Sequence, residues 1–192
     1  MNTQVETLND ITDGGLLVPR HNTAAKDALL PIHRKVGLTS LFEDLESAGL
    51  DPETKLLDFT LGLADAETAN LLECDEGTEV VQLKRLRYSR GYPLAILNNI
   101  LLASKTPCRP KLSERGLYQC FRAMGCTPES AFQYTGARRA SKEEAELLQI
   151  EEGSAVIAVE RTVYSQTGEV IDIEEDVYDA SQYLLTFSLD AE

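Results

Sequence analysis

Apolar residues recur along this chain with two different periods, and the changes of period fall at turn residues. Leu41, Phe42 and Leu45 stand at helical spacing in a run that ends near Gly49. Leu117, Phe121 and Met124 share one face of a helix expected over 112–124. Ser40 with Glu43, and Ser141 with Glu144, have the spacing of capping boxes, so helices are expected from Leu41 and over 141–148. Another helix is expected over 65–72. Short apolar or alternating runs predict strands over 55–63, 78–88, 94–102, 131–139, 155–164, 170–178 and 183–189. Arg90–Gly91–Tyr92–Pro93 and Gln166–Thr167–Gly168 read as turns, and Pro107 and Pro110 mark a loop. Strands joined by tight turns, with helices set between hairpins, predict an α+β fold in which an antiparallel sheet is flanked by helices.

Two stretches of this pattern are nearly the same segment. Residues 69–96 align with residues 145–173 once Thr167 is taken as an insertion. Ala69 matches Ala145, Leu71–Leu72 match Leu147–Leu148, Gly77 matches Gly153, Val80 matches Val156, Arg85 matches Arg161 and Tyr88–Ser89 match Tyr164–Ser165. Each copy reads as helix, acidic–Gly turn, strand, turn and strand. A repeated unit that cannot bury its apolar face alone is expected to pack on its own copy. The seam between copies is then a natural ligand site. Differences between the copies are as informative as matches: Arg87 corresponds to Val163, and Leu97 to Glu174.

Residues 1–36 differ from the rest. A helical pattern (Val5, Leu8, Ile11) leads to an Asp13–Gly14–Gly15 turn, a short strand Leu16–Leu17–Val18 and an irregular stretch to Lys35. The segment is too short to own a core, so the expected organisation is an extra segment over 1–36 and one domain over 37–192. The chain of 192 residues is long enough to bury a full core, and its 43% hydrophobic and 26% charged residues are those of a globular protein. A net charge of -14 argues against gripping a phosphate backbone over a broad surface, yet leaves room for a small anion held by two or three cations. Cys74, Cys108, Cys120 and Cys126 form no CxxC and no zinc spacing, so reduced thiols, no metal and a cytoplasmic location are expected. No stretch reads as a signal peptide or a membrane span.

Arg85 and Arg87 lie two apart on an expected strand and therefore point to one face. Neighbouring guanidiniums repel unless a carboxylate or phosphate compensates. They are either ion-paired on the surface of an acidic protein or hold a ligand. The repeat favours the ligand, because a purely structural seam would not require the second cation, Arg87. Thr39 and Ser40 stand at a helix start, where free N–H groups suit anions, although a plain N-cap is the ordinary meaning of such a pair. Asp172, Glu174, Asp176 and Tyr178 alternate along one strand face. Glu174 is expected to face a polar pocket and Asp176 to be solvated. Catalytic constellations are missing: His21 and His33 both fall in the N-terminal segment, and there is no nucleophile elbow and no glycine-rich phosphate loop. No catalytic residue and no cofactor is assigned.

The run Val80–Arg87, a Gly-containing turn and Pro93–Leu94–Ala95–Ile96 resembles the effector-binding (UTRA) domain of the HutC subfamily of GntR transcriptional regulators. So do Gly37–Leu38–Thr39–Ser40, Gly116–Leu117–Tyr118 and Glu160–Arg161–Thr162 with Tyr178 and Tyr183. The resemblance covers roughly residues 37–190. It implies a chorismate-lyase-like fold, a homodimer and a pocket for a small, anionic effector. It also implies an effector-binding set of Thr39, Ser40, Arg85, Arg87, Asp172, Glu174 and Tyr178. Leu97 stands where the family often has Glu, and Gly116 where it often has Ser, so the family's usual amino-sugar phosphate is not carried over. Residues 3–20 resemble the end of a recognition helix and the start of a wing in a winged helix-turn-helix. The supporting helices are not in this sequence, so it is either a piece of a longer chain or has lost most of a DNA-binding domain. DNA contact is expected only through a complete winged helix. A lyase-like enzyme acting on a small aromatic carboxylate and a ligand-free dimerisation module are the alternatives.

Overall fold

The computed structural model describes residues 32–35 and 38–186. In chain order the elements are β1 (Ile32–Lys35), α1 (Leu41–Ser47), β2 (Pro52–Leu63), α2 (Ala66–Leu72), β3 (Glu79–Ser89), β4 (Tyr92–Leu102), a 3-10 turn (Ala103–Lys105), α3 (Arg109–Glu114), α4 (Leu117–Ala123), β5 (Pro128–Arg139), α5 (Lys142–Leu148), β6 (Ala155–Ser165), β7 (Val170–Asp179) and β8 (Tyr183–Thr186). Six strands form one antiparallel sheet in the order β2-β3-β4-β7-β6-β5. β1 and β8 pair in parallel as a separate two-stranded ladder.

The repeat is visible down to the backbone. Each copy is strand, helix, strand, strand: β2-α2-β3-β4 and β5-α5-β6-β7. Asp65 and Ser141 cap the two helices by accepting from the Thr68 and Glu144 amides. Both helices close on a left-handed residue that is not glycine, Glu73 at φ 53° and Gln149 at φ 56°. The Ala64 amide bonds the Thr78 carbonyl at 2.8 Å, and the equivalent Ala140 amide bonds Ser154 at 2.8 Å. The copies meet along β4–β7, where Asn98 faces Glu175. Those two positions are also equivalent in the repeat, so a pseudo-twofold axis passes between them.

Helices cover both faces of the sheet. On one face, α1 buries Leu41 and Leu45 against Leu94, Ala95, Leu97 and Tyr178, while Leu112, Leu117, Tyr118 and Phe121 from α3 and α4 pack on Val81, Leu83, Leu101 and Val163. On the other face, α5 packs on Leu86, Ile96, Val156 and Val177, and α2 on Val80, Val170 and Ile173. Burying apolar stripes on both sides of one sheet accounts for the nearly continuous apolar run of β4. That run offers no surplus for a partner, because Leu94, Ala95, Ile96, Leu97 and Leu101 are all buried within one chain.

Two elements differ from the sequence expectation. The single helix over 112–124 is two, α3 and α4, broken where Arg115 and Gly116 adopt extended backbone. At that break the α4 start presses on α1: a Cβ on Gly116 would lie 2.7 Å from the Ser40 hydroxyl oxygen. The irregular stretch before Lys35 contains β1, whose partner is about 150 residues away in sequence and leaves no local signature. The division at residue 36 falls just after β1. Gly37, residues 187–189 of the last expected strand and the winged-helix remnant lie outside the described residues.

Candidate functional site

β3 presents Arg85 and Arg87 on the sheet face that α1 and α4 cover. Register fixes their neighbours across the seam. One row runs Arg85, Leu97, Asp176, Val159; the next runs Leu83, Asn99, Glu174, Arg161, Gln133. Above these rows lie the α1 start and the α4 start. Together Ser40, Phe42, Arg85, Arg87, Leu97, Asn99, Leu117, Tyr118, Arg161, Glu174, Asp176 and Tyr178 line a cavity of about 30 Å3, room for a water molecule.

The polar side chains form two halves. In the first, Arg161 is held at two nitrogens: its Nε donates to Gln133 at 2.7 Å and its Nη1 to Glu174 at 2.8 Å and to the Tyr118 hydroxyl at 3.2 Å. Tyr118 in turn donates to Glu174 at 2.9 Å. Burial works against the Arg161 charge, but Glu174 and the tyrosines Tyr118 and Tyr178 outweigh it and its pKa is raised. Burial, then Glu174, pushes the Tyr118 hydroxyl well above its ordinary value, so it stays a donor.

The second half is under-satisfied. Arg85 donates one bond, from Nη2 to Asn99 at 2.7 Å, and Asn99 is held by both Asp172 oxygens at 3.0 and 3.1 Å. Arg87 bonds Thr54 and lies over the Phe42 ring, 4.8 Å from its centroid. Nε and Nη1 of Arg85, Nε of Arg87 and Oδ1 of Asp176 have no hydrogen-bond partner, although the two arginines are only 3% and 1% exposed. Burial, reinforced by Arg85, pulls the Arg87 pKa down to about 9, so the side chain is still a cation at neutral pH. Burial and then Glu174 push Asp176 up to about 7, and the same causes push Asp172 well above the carboxylate range. Unpaired buried donors are costly. Three such donors belong to two neighbouring cations that line one cavity, with the unpartnered Asp176 Oδ1 on the same lining.

Of the seven residues expected to bind, the cavity brings together Ser40, Arg85, Arg87, Glu174 and Tyr178. Thr39 is exposed outside it, and Asp172 sits behind Asn99. The α1 start carries its own anion: the Glu43 carboxylate accepts from the Ser40 amide at 3.3 Å and hydroxyl at 2.9 Å, completing a capping box. Asp176, read from sequence as solvated, is buried, because α1 and Tyr178 close over the strand face that alternation left open. Sequence reasoning missed Arg161, Asn99, Tyr118 and Phe42. The equivalence of Arg161 to Arg85 was the available signal, since a pseudo-twofold at the seam carries both arginines to one cavity.

Among the described residues no cluster of His, Cys, Asp and Glu could hold a metal, and no helix is long and apolar enough to cross a membrane. All four cysteines are free thiols.

This geometry has relatives. HTH-type transcriptional repressor NagR of Bacillus subtilis (strain 168) is 28% identical over 156 residues, 80% of this chain. The chain spans 64% of NagR's length, less than two thirds. A Streptomyces coelicolor protein of known structure is 37% identical and superposes with a TM-score of 0.65, covering 69% of this chain and 89% of its own. The effector domain of PhnF from Mycobacterium smegmatis shares the fold at a TM-score of 0.76 with 23% identity, over 83% of this chain and 100% of that domain. Residues 47–183, which take in all six strands of the main sheet, match the UTRA domain model, and the chain therefore belongs to the UTRA domain family.

Proposed function

We propose that this chain is the effector-sensing module of a GntR-type transcriptional regulator, that it works as a homodimer, and that its effector is a small anion also carrying a hydroxyl or amine donor. The supporting observation is the set of unpaired N–H groups on two buried arginines of one strand. The anionic group takes the free donors of Arg85 and Arg87, and the effector's donor takes Asp176 Oδ1. Tyr178, which donates to Asp176 at 3.0 Å, orients that acceptor. Asp172 acts through Asn99 to hold Arg85, while Arg161, Glu174 and Tyr118 form the fixed floor. Ser40 is the hydroxyl at the rim and Thr39 lies at the mouth.

A cavity of about 30 Å3 is too small for such a molecule, so binding moves a wall. The wall that can move is α1, a seven-residue helix held over the cavity by an Arg122–Glu43 ion pair and by a Gln119–Glu46 hydrogen bond at 3.2 Å. Sensing then consists of anion binding coupled to displacement of α1, next along the chain from β1 and the N-terminal segment. DNA recognition belongs to a complete winged helix.

Thermal melts in sulfate, phosphate and sugar phosphates, with matched chloride as control, test the proposal. The melting temperature should climb with the logarithm of one oxyanion's concentration, as one-site linkage requires. Equal melts in chloride and in every oxyanion into tens of millimolar would dismiss an anion-sensing pocket.

A further inference from the structure

We propose that the effector is bipolar: an anionic group at one end, a hydrocarbon middle, and an amine or hydroxyl at the other end, as in a substituted aryl phosphate or carboxylate. The inference rests on the anion-sensing pocket proposed above and names the class of molecule that fits it.

The sheet sets the order of chemistry across the cavity. Two neighbouring rows run from β3 through β4 to β7: Arg85, Leu97, Asp176 and Arg87, Ala95, Tyr178. Unpaired buried polar atoms sit on the outer strands, at Arg85 and Arg87 on β3 and at Asp176 on β7. β4, the strand between, presents Leu97 and Ala95, 5% and 0% exposed. One row further on it carries Asn99, whose side-chain amide is already taken by Arg85 and Asp172. Leu41 of α1 packs on the same apolar strip, and Phe42 and Leu117 line the cavity with it. Two strand spacings, about 10 Å between backbones, therefore separate the cations from the free acceptor, and the ground between them is apolar.

The fold does not require an apolar side chain there. Leu97 and Glu174 are equivalent positions of the repeat. On β7 that position is a carboxylate, bonded by Tyr118 and Arg161; on β4 a hydrocarbon stands in its place. A ligand hydroxyl laid over β4 leaves water and gains no partner, which costs about tenfold or more in affinity for each such hydroxyl. A body hydroxylated at every carbon, such as a sugar, is therefore disfavoured. A ring or a short methylene chain sheds its water favourably and leaves the polar groups for the two ends. The strip belongs to the sheet, so it remains the floor when α1 moves to admit the ligand.

The test is isothermal titration of the full chain with inorganic phosphate, phenyl phosphate, 4-aminophenyl phosphate and glucosamine 6-phosphate, so that the anionic group is held constant. 4-Aminophenyl phosphate should bind about tenfold more tightly than phenyl phosphate, through the added bond to Asp176, and about tenfold or more tightly than glucosamine 6-phosphate. Leu97→Gln puts an amide in the strip and should weaken the aryl esters about tenfold while leaving inorganic phosphate, which reaches only β3, unchanged. A preference for glucosamine 6-phosphate overturns the hydrocarbon middle and leaves the anion pocket standing. So does a Leu97→Gln protein that loses nothing for the aryl esters. Equal binding of phenyl and 4-aminophenyl phosphates overturns the distal donor. If inorganic phosphate and all three esters fail to bind the parent chain, the anion pocket falls and the bipolar effector with it. A Leu97→Gln protein that has lost inorganic phosphate is misfolded, and the ranking on the parent chain then decides.

Discussion

Replacing Arg87 by Met keeps much of the volume and deletes the charge, and the structure sets the sign of the result. Holding a guanidinium where its pKa falls from 12.5 to about 9 corresponds to roughly 5 kcal/mol of destabilisation. The folded pKa is depressed and the cationic form is the one disfavoured, so this cost applies at every pH below about 9. Against it stand the bond to Thr54, about 1.5–3 kcal/mol, and the stacking on Phe42, about 0.5–2 kcal/mol. Met also packs against Phe42. The balance is a ligand-free protein as stable as the parent or up to about 3 kcal/mol more stable, in line with other replacements of buried charge by apolar groups. At about 2–4 °C per kcal/mol for a chain of this size, calorimetry should show a melting temperature unchanged or several degrees higher. Anion affinity moves the other way. Losing the one charge-assisted bond that Arg87 Nε offers, about 1.5–3 kcal/mol, weakens sulfate binding by one to two orders of magnitude in isothermal titration. A lower melting temperature with unaltered sulfate affinity would mean that Arg87 is a structural cation, and the receptor reasoning fails.

Sulfate, whose charge is fixed near neutrality, should bind several-fold more tightly at pH 6 than at pH 8, because a nearby anion favours protonated Asp176, whose pKa is about 7; a flat profile by titration calorimetry speaks against Asp176 as a wall of the site. Asp176 also affects the ligand-free protein: its folded pKa is raised, so its contribution is fully present below about pH 4 and lost as pH rises through about 7, and chemical denaturation of Asp176→Asn should show a weaker decline over that window. Gly116→Ala places a methyl 2.7 Å from the Ser40 oxygen and 3.0 Å from the Phe42 Cβ, so denaturant melts should show a loss of about 1–3 kcal/mol; no loss would mean α1 is loosely seated. Tyr118→Phe leaves Glu174 and Arg161 each short of a partner, which should cost about 1–3 kcal/mol by the same assay while sulfate affinity stays near the parent value.

The sequence by itself determined the local structure and the symmetry. Capping boxes at Ser40 and Ser141 start helices where they were expected, and strand periods gave β2 to β7 to within a few residues, because both signals live in contiguous side chains and turn geometry. The repeat fixed more than its own two copies. Equivalence of Asn98 and Glu175 is the sheet's pseudo-twofold, and spacing alone set Arg85 and Arg87 on one face. Tertiary structure decided the rest through contacts with no sequence neighbourhood. Strand alternation says which side chains share a face, but not which helix covers it, so Asp176 read as solvated until α1 closed over it. The parallel pairing of β1 with β8 joins the two ends of the domain without a turn to announce it. Whether a buried arginine is satisfied or left with free donors is decided by how the hydrogen-bond partners are divided. Arg161 has Gln133, Glu174 and Tyr118 within reach, while Arg85, its equivalent in the repeat, has Asn99. The same motif, folded twice, thus gives one half whose arginine is paired with a carboxylate and one half whose arginines keep unpaired donors.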